Sequence, residues 1–331
     1  MVRELGLEDV HGRPFGREVC LGDDVAAPLD AGECGVAKSL ADDGAGSFGA
    51  PFGDGSGGRA MDGIGKLHPG DATGRKAGAP AMPRERVVTV LAGIDLSWSG
   101  RNPTGICVVT VEDGRSRLEQ LECIPEGGAA AVAELLARLG DDVIAAIDAP
   151  LLAEANRDAE RSLARAFGKQ GVYAYAARPD FLVRHNIAEG PVLGGMLIEA
   201  GWTLDLDGLP HPGRYAIEVF PRAITVSLLG AERAFDYKRG RLAERLVPMT
   251  RYQGLLRDYA TEQLSCLLDD PQGTLTASPP VSSGRALKDL EDRLDAVACV
   301  LAAHHAYQFG AEGFAFFGDA ANGCIAVPLR R

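Results

Sequence analysis

The chain has 331 residues, of which 46% are hydrophobic, and a formal net charge of −12 at pH 7. This length suffices for one large domain or two ordinary ones, and the apolar content can form a proper core. The acidic balance argues against a tight, non-specific duplex binder, because such proteins hold phosphates with surplus Lys and Arg. It still allows a metal-dependent enzyme that meets nucleic acid transiently.

The cysteine pattern and the absence of long apolar runs indicate in which cellular compartment the protein is expected. Seven cysteines are scattered without CxxC spacing, which argues against a disulfide framework and a structural zinc site. No apolar run approaches the ~20 residues of a membrane span, and no secretory signal is visible at the N-terminus. We therefore expect a cytoplasmic protein that does not enter membranes. The sequence indicates no oligomeric state.

Residues 1–84 differ in composition from the rest of the chain. They hold 18 of the 42 glycines and more acids than bases, without apolar periodicity. Such a segment cannot bury enough surface to offset its chain entropy, so we predict that it is disordered. An acidic partner-binding segment and a true translation start at Met82 are the alternatives. We place the folded domain at residues 85–331.

Hydrophobic periodicity and turn residues predict the elements of this domain. The predicted strands are 87–98, 104–112, 115–124, 142–152 and 213–223, followed by a closing hairpin at 313–329. The predicted helices are 127–140, 156–168, one near 186–200, 221–230, 241–269 with a possible break at Pro248, and 286–309. Three antiparallel strands followed by alternating helices and strands indicate a mixed α/β sheet flanked by helices. Helical insertions are expected at about 170–212 and 236–285.

Four acids occupy places where a buried carboxylate would be costly. Asp95 and Asp148 end two apolar strands, Glu218 lies on a third, and Asp295 falls at the edge of the apolar stripe of the last helix, one turn after Asp292. An acid buried alone costs several kcal/mol or protonates. Acids that share Mg²⁺ or Mn²⁺ avoid this cost, because these ions prefer oxygen ligands. Each acid could instead be a solvated strand end, a cap or a surface residue.

Several stretches, in this order, are similar to one known family: GIDLSWSGRNPTGICVV, IAAIDAPLL, NRDAERSLARAFG, YAIEVFPRA, YKRGR, DRLDAVACVLAAHHA and FGDAANGCIAVP. They resemble the family known as domain of unknown function 429, predicted ribonuclease H-like nucleases, over about residues 90–329. The resemblance implies a ribonuclease H-like fold. It also implies a catalytic metal centre of Asp95, Asp148, Glu218 and Asp295, with Asp95 bridging the ions. Two ions ~3.5–4 Å apart can activate water and stabilise the leaving oxygen of a phosphodiester.

Basic residues offer candidate phosphate contacts. Lys238, in the sequence YKRGR, is the first of these. Arg157, Arg161 and Arg165 recur at helical spacing, where they either face phosphate or form a solvated helix face.

Aromatic and histidine residues have two interpretations each. Tyr173, Tyr175 and Phe181 either stack on the bases of a single strand or pack the insertion against the sheet. His304 and His305 lie more than two turns beyond Asp295 on the last helix, too far to share its metal easily. They are typical of a helix C-terminus, and a proton shuttle is the alternative.

Two other function classes remain open. The same fold core occurs in actin-like sugar kinases and ATPases, although this chain has one unit of strand-end acids and lacks a GxxxxGK[ST] loop. A non-catalytic binding protein that keeps the fold is the third class. The sequence favours a metal-dependent nuclease.

Overall fold

The computed structural model describes residues 88–125, 127–279 and 283–331. The predicted disorder of residues 1–84 and the alternative start at Met82 lie outside the described residues.

One mixed sheet of seven strands organises the part of the chain that the structure describes. The strands are β1 (Val88–Asp95), β2 (Thr104–Glu112), β3 (Arg115–Ile124), β4 (Val143–Ile147), β5 (Arg214–Glu218), β6 (Phe314–Asp319) and β7 (Gly323–Pro328). Their order across the sheet is β3-β2-β1-β4-β5-β7-β6. Strands β1 to β3 pair antiparallel, β4 and β5 continue parallel to β1, and β7 pairs parallel with β5 and antiparallel with β6. This order confirms the predicted ribonuclease H-like sheet.

Three strands end at or beside the predicted acids and are shorter than the sequence suggested. β1 ends at Asp95, β4 ends one residue before Asp148, and β5 ends at Glu218. Pro150 and Pro221 follow the last two ends closely. Because proline cannot donate to a strand ladder, it ends the pairing there. The three acids therefore lie at the same edge of the sheet, where the parallel strands terminate.

Helices cover both faces of the sheet. They are α1 (Ala129–Ala137), α2 (Ala159–Phe167), α3 (Pro179–His185), α4 (Glu189–Glu199), α5 (Pro221–Ser227), α6 (Leu242–Gln263) and α7 (Gly284–Phe309), with short 3₁₀ turns at 168–170, 265–269 and 310–313. Helix α6 does not break at Pro248. It continues because Met249, Tyr252 and Leu256 in the following turns are buried against the core, which offsets the missing backbone donor. Within the described chain, no helix is long and apolar enough to cross a membrane.

The two faces of the sheet carry separate cores. Leu91 and Ile144 belong to the cluster that includes α6 and α7, whereas Ile94 and Ala145 belong to the cluster that includes α1 and α4. Neighbouring residues of a strand point to opposite faces, so odd and even positions of β1 are assigned to different cores. The position of a side chain along its strand therefore decides which helices it meets.

Glycines let α7 lie directly on β1 and β2. A Cβ atom at Gly93 would overlap Ala296 O and Val300 N, and one at Gly105 would overlap Asp292 O. The helix backbone can approach the strands this closely only where no side chain intervenes. This contact lays the segment of α7 around Asp295 over the end of β1.

Replacing Gly93 with alanine is expected to destabilise the fold by about 3 kcal/mol, near the upper end of overpacking effects, because the new methyl group would meet backbone atoms. Urea denaturation measures the change. Gly254→Ala is the matched control, since a Cβ there meets nothing within 4 Å. At this helical position the alanine should stabilise by about 0.5–1 kcal/mol. Equal stability of the two variants would contradict the close approach of α7 to β1.

Candidate metal centre

Three of the four predicted acids meet at the sheet edge. Ile94 of β1 pairs with Ile147 of β4, and the backbone N–H of Asp148 donates to Ile94 O at 2.8 Å. The next residues, Asp95 and Asp148, are therefore neighbours. Asp295 comes from α7 above them. One carboxylate oxygen from each lies within 4.8 Å of the others, and we call Asp95, Asp148 and Asp295 the acidic triad.

Strand alternation explains why Asp95 and Asp148 face α7. Asp95 follows Leu91 and Gly93 at alternate positions of β1, and both of these contact the α7 side. Asp148 continues the alternation of Ile144 and Ala146, which belong to the same core. Side chains two residues apart share a face of the sheet.

Glu218 is placed differently from the prediction. It shares a strand face with Ala216, which belongs to the core on the opposite side from α7. Its carboxylate forms a buried ion pair with Arg157, with Nη1 and Oε2 3.0 Å apart, and accepts from the Leu151 N–H at 3.3 Å. The structure thus pairs Glu218 with Arg157 and leaves Glu218 out of the acidic triad, whereas the sequence grouped Glu218 with the metal ligands and left Arg157 as either a phosphate contact or part of a solvated helix face.

The other two arginines of this helix fit the solvated alternative. Arg161 and Arg165 are exposed, and both pair with Asp158 at 3.4 Å. Ion pairs of this exposed kind contribute little to stability.

Two buried tyrosines hold Asp295 in position. Tyr237 and Tyr252 donate their hydroxyl groups to Asp295 Oδ1 at 2.6 and 2.9 Å, and their rings stack with centroids 4.6 Å apart. These bonds fix the carboxylate and leave its second oxygen, Oδ2, turned to other partners. The sequence analysis missed both tyrosines. Tyr237 precedes Lys238 in a motif already singled out, whereas Tyr252 falls on the buried stripe of α6.

Lys238 contacts the triad directly. Its Nζ lies 2.8 Å from Asp295 Oδ2. Burial acts to lower the pKa of Lys238, but the surrounding carboxylates, Asp295 and Asp95 first among them, raise it well above the usual value. The ammonium is therefore a stable positive charge within an acidic centre.

A second group of charges surrounds the triad on α7. Glu291 pairs with Arg245 at 2.6 Å and with Lys288 at 3.0 Å, and Lys288 also lies 2.7 Å from Asp292 Oδ1. Asp292 is 1% exposed, and its buried Oδ2 atom accepts no hydrogen bond among the described residues. It lies close enough to Asp95 for a bond between the two carboxyl groups when one is protonated.

Asp95 and Asp148 favour either protons or a cation at this site. Burial is the main cause that raises the pKa of Asp148 to about 7, against the opposing charge of Lys238. Burial also raises the pKa of Asp95 well above its usual value. Carboxylate oxygens gathered this closely are a suitable donor set for Mg²⁺ or Mn²⁺, which prefer carboxylate oxygens, and a divalent ion offsets the cost of burying their charges. The residues present therefore fit a divalent ion.

The predicted base-stacking residues lie in a loop at 171–178, which we call the aromatic loop, and in α3. Tyr173 and Tyr175 are 63% and 43% exposed, so they do not pack the insertion against the sheet. Arg239 Nη2 is 3.4 Å from the Tyr175 hydroxyl, and Arg239 directly follows Lys238 in the chain. Phe181 is partly buried and packs against the His185 ring in a tilted arrangement.

The two histidines of α7 lie outside the triad. His304 is buried, which lowers its pKa to about 4, so it is neutral near pH 7. The Nε2 atom of His305 forms a hydrogen bond with Gly313 O at 3.0 Å. Their burial and contacts are typical of residues that support the fold, and neither histidine belongs to the acidic triad.

Comparison with known proteins supports the family expected from the sequence. A family model described as "Protein of unknown function (DUF429)" matches residues 93–320, a span that includes every member of the acidic triad. No curated protein matches the chain.

Proposed function

The chain belongs to the DUF429 family, and from this premise we propose that it is a divalent-metal-dependent hydrolase that cleaves phosphodiester bonds in nucleic acid. The observation that carries the proposal is the acidic triad, in which one carboxylate oxygen from each residue lies within 4.8 Å of the others at the edge of the sheet.

The roles of the residues follow from their contacts. Asp95, Asp148 and Asp295 would hold Mg²⁺ or Mn²⁺, and Asp292 lies beside them as a further carboxylate. A divalent ion bound there supplies a nucleophilic water and charge stabilisation for the leaving oxygen. Tyr237 and Tyr252 keep Asp295 in one orientation through their hydrogen bonds.

The surface beside the triad supports nucleic acid as the substrate. Segments 168–185 and 230–241 each carry more bases than acids, in a chain whose net charge is −12. The two segments are joined where Ala234 N donates to Gln170 O at 2.8 Å. Tyr175 lies against Arg239, next to Lys238 and hence to the triad. Exposed tyrosines can stack on the nucleobases of a single strand while neighbouring Lys and Arg side chains contact its phosphates.

The direct test is cleavage of labelled single-stranded DNA and RNA and of duplex DNA. We expect cleavage of a single strand with Mn²⁺ or Mg²⁺ and none with EDTA. Tight metal binding without cleavage of any of these substrates would contradict the hydrolase and favour a non-catalytic binding protein. Cleavage that continues in EDTA would contradict the metal centre.

Substitution of Tyr175 by alanine is expected to weaken binding of a single-stranded oligonucleotide about 5- to 150-fold, the equivalent of about 1–3 kcal/mol for one stacked base. Fluorescence anisotropy in EDTA measures this binding without hydrolysis. Tyr307→Ala is the matched control, because Tyr307 is 40% exposed and lies about 18 Å along α7 from Asp295. Equal losses in the two variants would contradict a stacking role for the aromatic loop.

A further inference from the structure

The space within the acidic triad matches a single ion. Mg²⁺ lies about 2.0–2.1 Å from its oxygen ligands, so two ligands on opposite sides of it are about 4 Å apart. One carboxylate oxygen from each acid of the triad lies within 4.8 Å of the other two. A two-ion centre holds its ions ~3.5–4 Å apart and needs carboxylates that reach both positions.

Asp295 has little capacity for a second ion. Its Oδ1 already accepts hydrogen bonds from Tyr237 and Tyr252. Its Oδ2 lies 2.8 Å from Lys238 Nζ. A carboxylate oxygen can accept a lysine ammonium and one further cation, since it offers two lone pairs. A second ion on this oxygen would need the place that the ammonium occupies.

The charges around the triad also correspond to one divalent ion. The carboxylates of Asp95, Asp148, Asp295, Asp292 and Glu291 face the cations of Lys238, Arg245 and Lys288. When all five carboxylates are ionised, as metal binding requires of its ligands, five negative charges against three positive ones leave two, which one divalent ion neutralises. A second ion would leave an excess of two positive charges in a largely buried centre before any substrate arrives.

Lys238 is held in this place by its neighbours. The preceding residue, Tyr237, is fully buried, is stacked on Tyr252, and accepts a hydrogen bond at its backbone oxygen from Arg245 Nε at 2.7 Å. The backbone at the base of the lysine side chain is therefore fixed, and the ammonium is positioned on Asp295.

We infer that the centre binds one divalent ion and that the Lys238 ammonium occupies the position of a second. This inference rests on the proposed function and makes it more specific. The lysine then supplies a fixed positive charge for a phosphate oxygen of the substrate, the role in which two-ion hydrolases use a second metal.

The test is the number of Mn²⁺ ions bound per chain, measured by titration calorimetry and by electron paramagnetic resonance without substrate. We expect one ion, without spin coupling, in the wild-type protein and in Lys238→Arg, which keeps the charge. Lys238→Met has a similar length without the charge, and we expect two spin-coupled ions. Lys288→Met is the control, because it removes an equal charge that contacts Glu291 and Asp292 rather than Asp295.

Each outcome decides the inference. Two ions in the wild-type protein would overturn it, even if Lys238→Met did not fold. One ion in a folded Lys238→Met would overturn the role of the lysine, and two ions in Lys288→Met would show that net charge alone sets the number. Failure of the proposed function looks different: one ion without hydrolysis contradicts the hydrolase alone, and hydrolysis with two ions contradicts only this inference. Absence of any bound ion contradicts both.

Discussion

Asp148→Asn is expected to weaken metal binding strongly while it stabilises the metal-free protein. The variant removes one carboxylate of the triad, so we expect Mn²⁺ affinity to fall at least about 100-fold, since changes behind the ligands already cost 10- to 100-fold. The amide also removes a charge that burial disfavours. We expect a gain of about 2 kcal/mol at pH 8, because a shift of one pKa unit corresponds to about 1.4 kcal/mol and lost contacts to Lys238 oppose the gain.

Glu218→Gln is the matched control, because Glu218 lies at the same sheet edge but on the other face. It should leave Mn²⁺ affinity unchanged, because its carboxylate pairs with Arg157 and does not belong to the acidic triad. Titration calorimetry separates the two variants. Wild-type Mn²⁺ affinity in Asp148→Asn would show that the triad is not the metal centre.

The stabilisation of Asp148→Asn should grow as the pH rises. Below about pH 4 the carboxyl group is protonated in both folded and unfolded chains, so it has no differential effect. Between pH 4 and 7 the unfolded chain ionises, whereas the folded protein, with a pKa of about 7, retains the proton. Wild-type stability is therefore lost over this range. The difference in melting temperature between variant and wild type in EDTA should increase from pH 5 to 8, and a constant difference would contradict the raised pKa.

Arg157→Met is expected to destabilise the protein by about 3–5 kcal/mol, the usual cost of leaving a buried charge without its partner. The Arg157 side chain is fully buried and bonds Glu218, Glu160 and the Leu152 carbonyl oxygen. Burial already raises the pKa of Glu218 to about 7 although the arginine opposes this. Urea denaturation measures the loss.

A double variant and a neighbouring arginine make this prediction specific. Arg157→Met combined with Glu218→Met should recover most of the stability, because apolar pairs can replace buried ion pairs. Arg161→Met, on the exposed face of the same helix, should change stability by less than about 0.5 kcal/mol. A double variant as unstable as Arg157→Met would contradict the pairing.

The strand ends could be predicted from the sequence, but the face on which each acid lies could not. Apolar runs and turn residues indicated β1, β4 and β5 and the acids that end them. These strands are buried on both faces, so their residues are apolar in succession and do not reveal which face α7 covers. Glu218 was therefore grouped with Asp95 and Asp148, although it points to the other side.

The surroundings of Asp295 depend on contacts between distant parts of the chain. Lys238 comes from an irregular segment, where no periodicity indicates direction, and meets a residue far along the sequence. Tyr252 lies among the buried residues of α6, where the sequence pattern indicates only that an aromatic ring packs in the core. The hydrogen bond from its hydroxyl group becomes visible only when α6 and α7 are placed together.

The glycine contacts between α7 and the sheet have a consequence for how the sequence can change over evolution. Since main-chain atoms set the separation of β1 and α7 at Gly93 and Gly105, the spacing of the carboxylates does not depend on the size of nearby apolar side chains. The interior can accumulate substitutions among Leu, Ile and Val while the geometry of the acids stays constant. Substitution is constrained instead at Gly93 and Gly105, which carry no side chain.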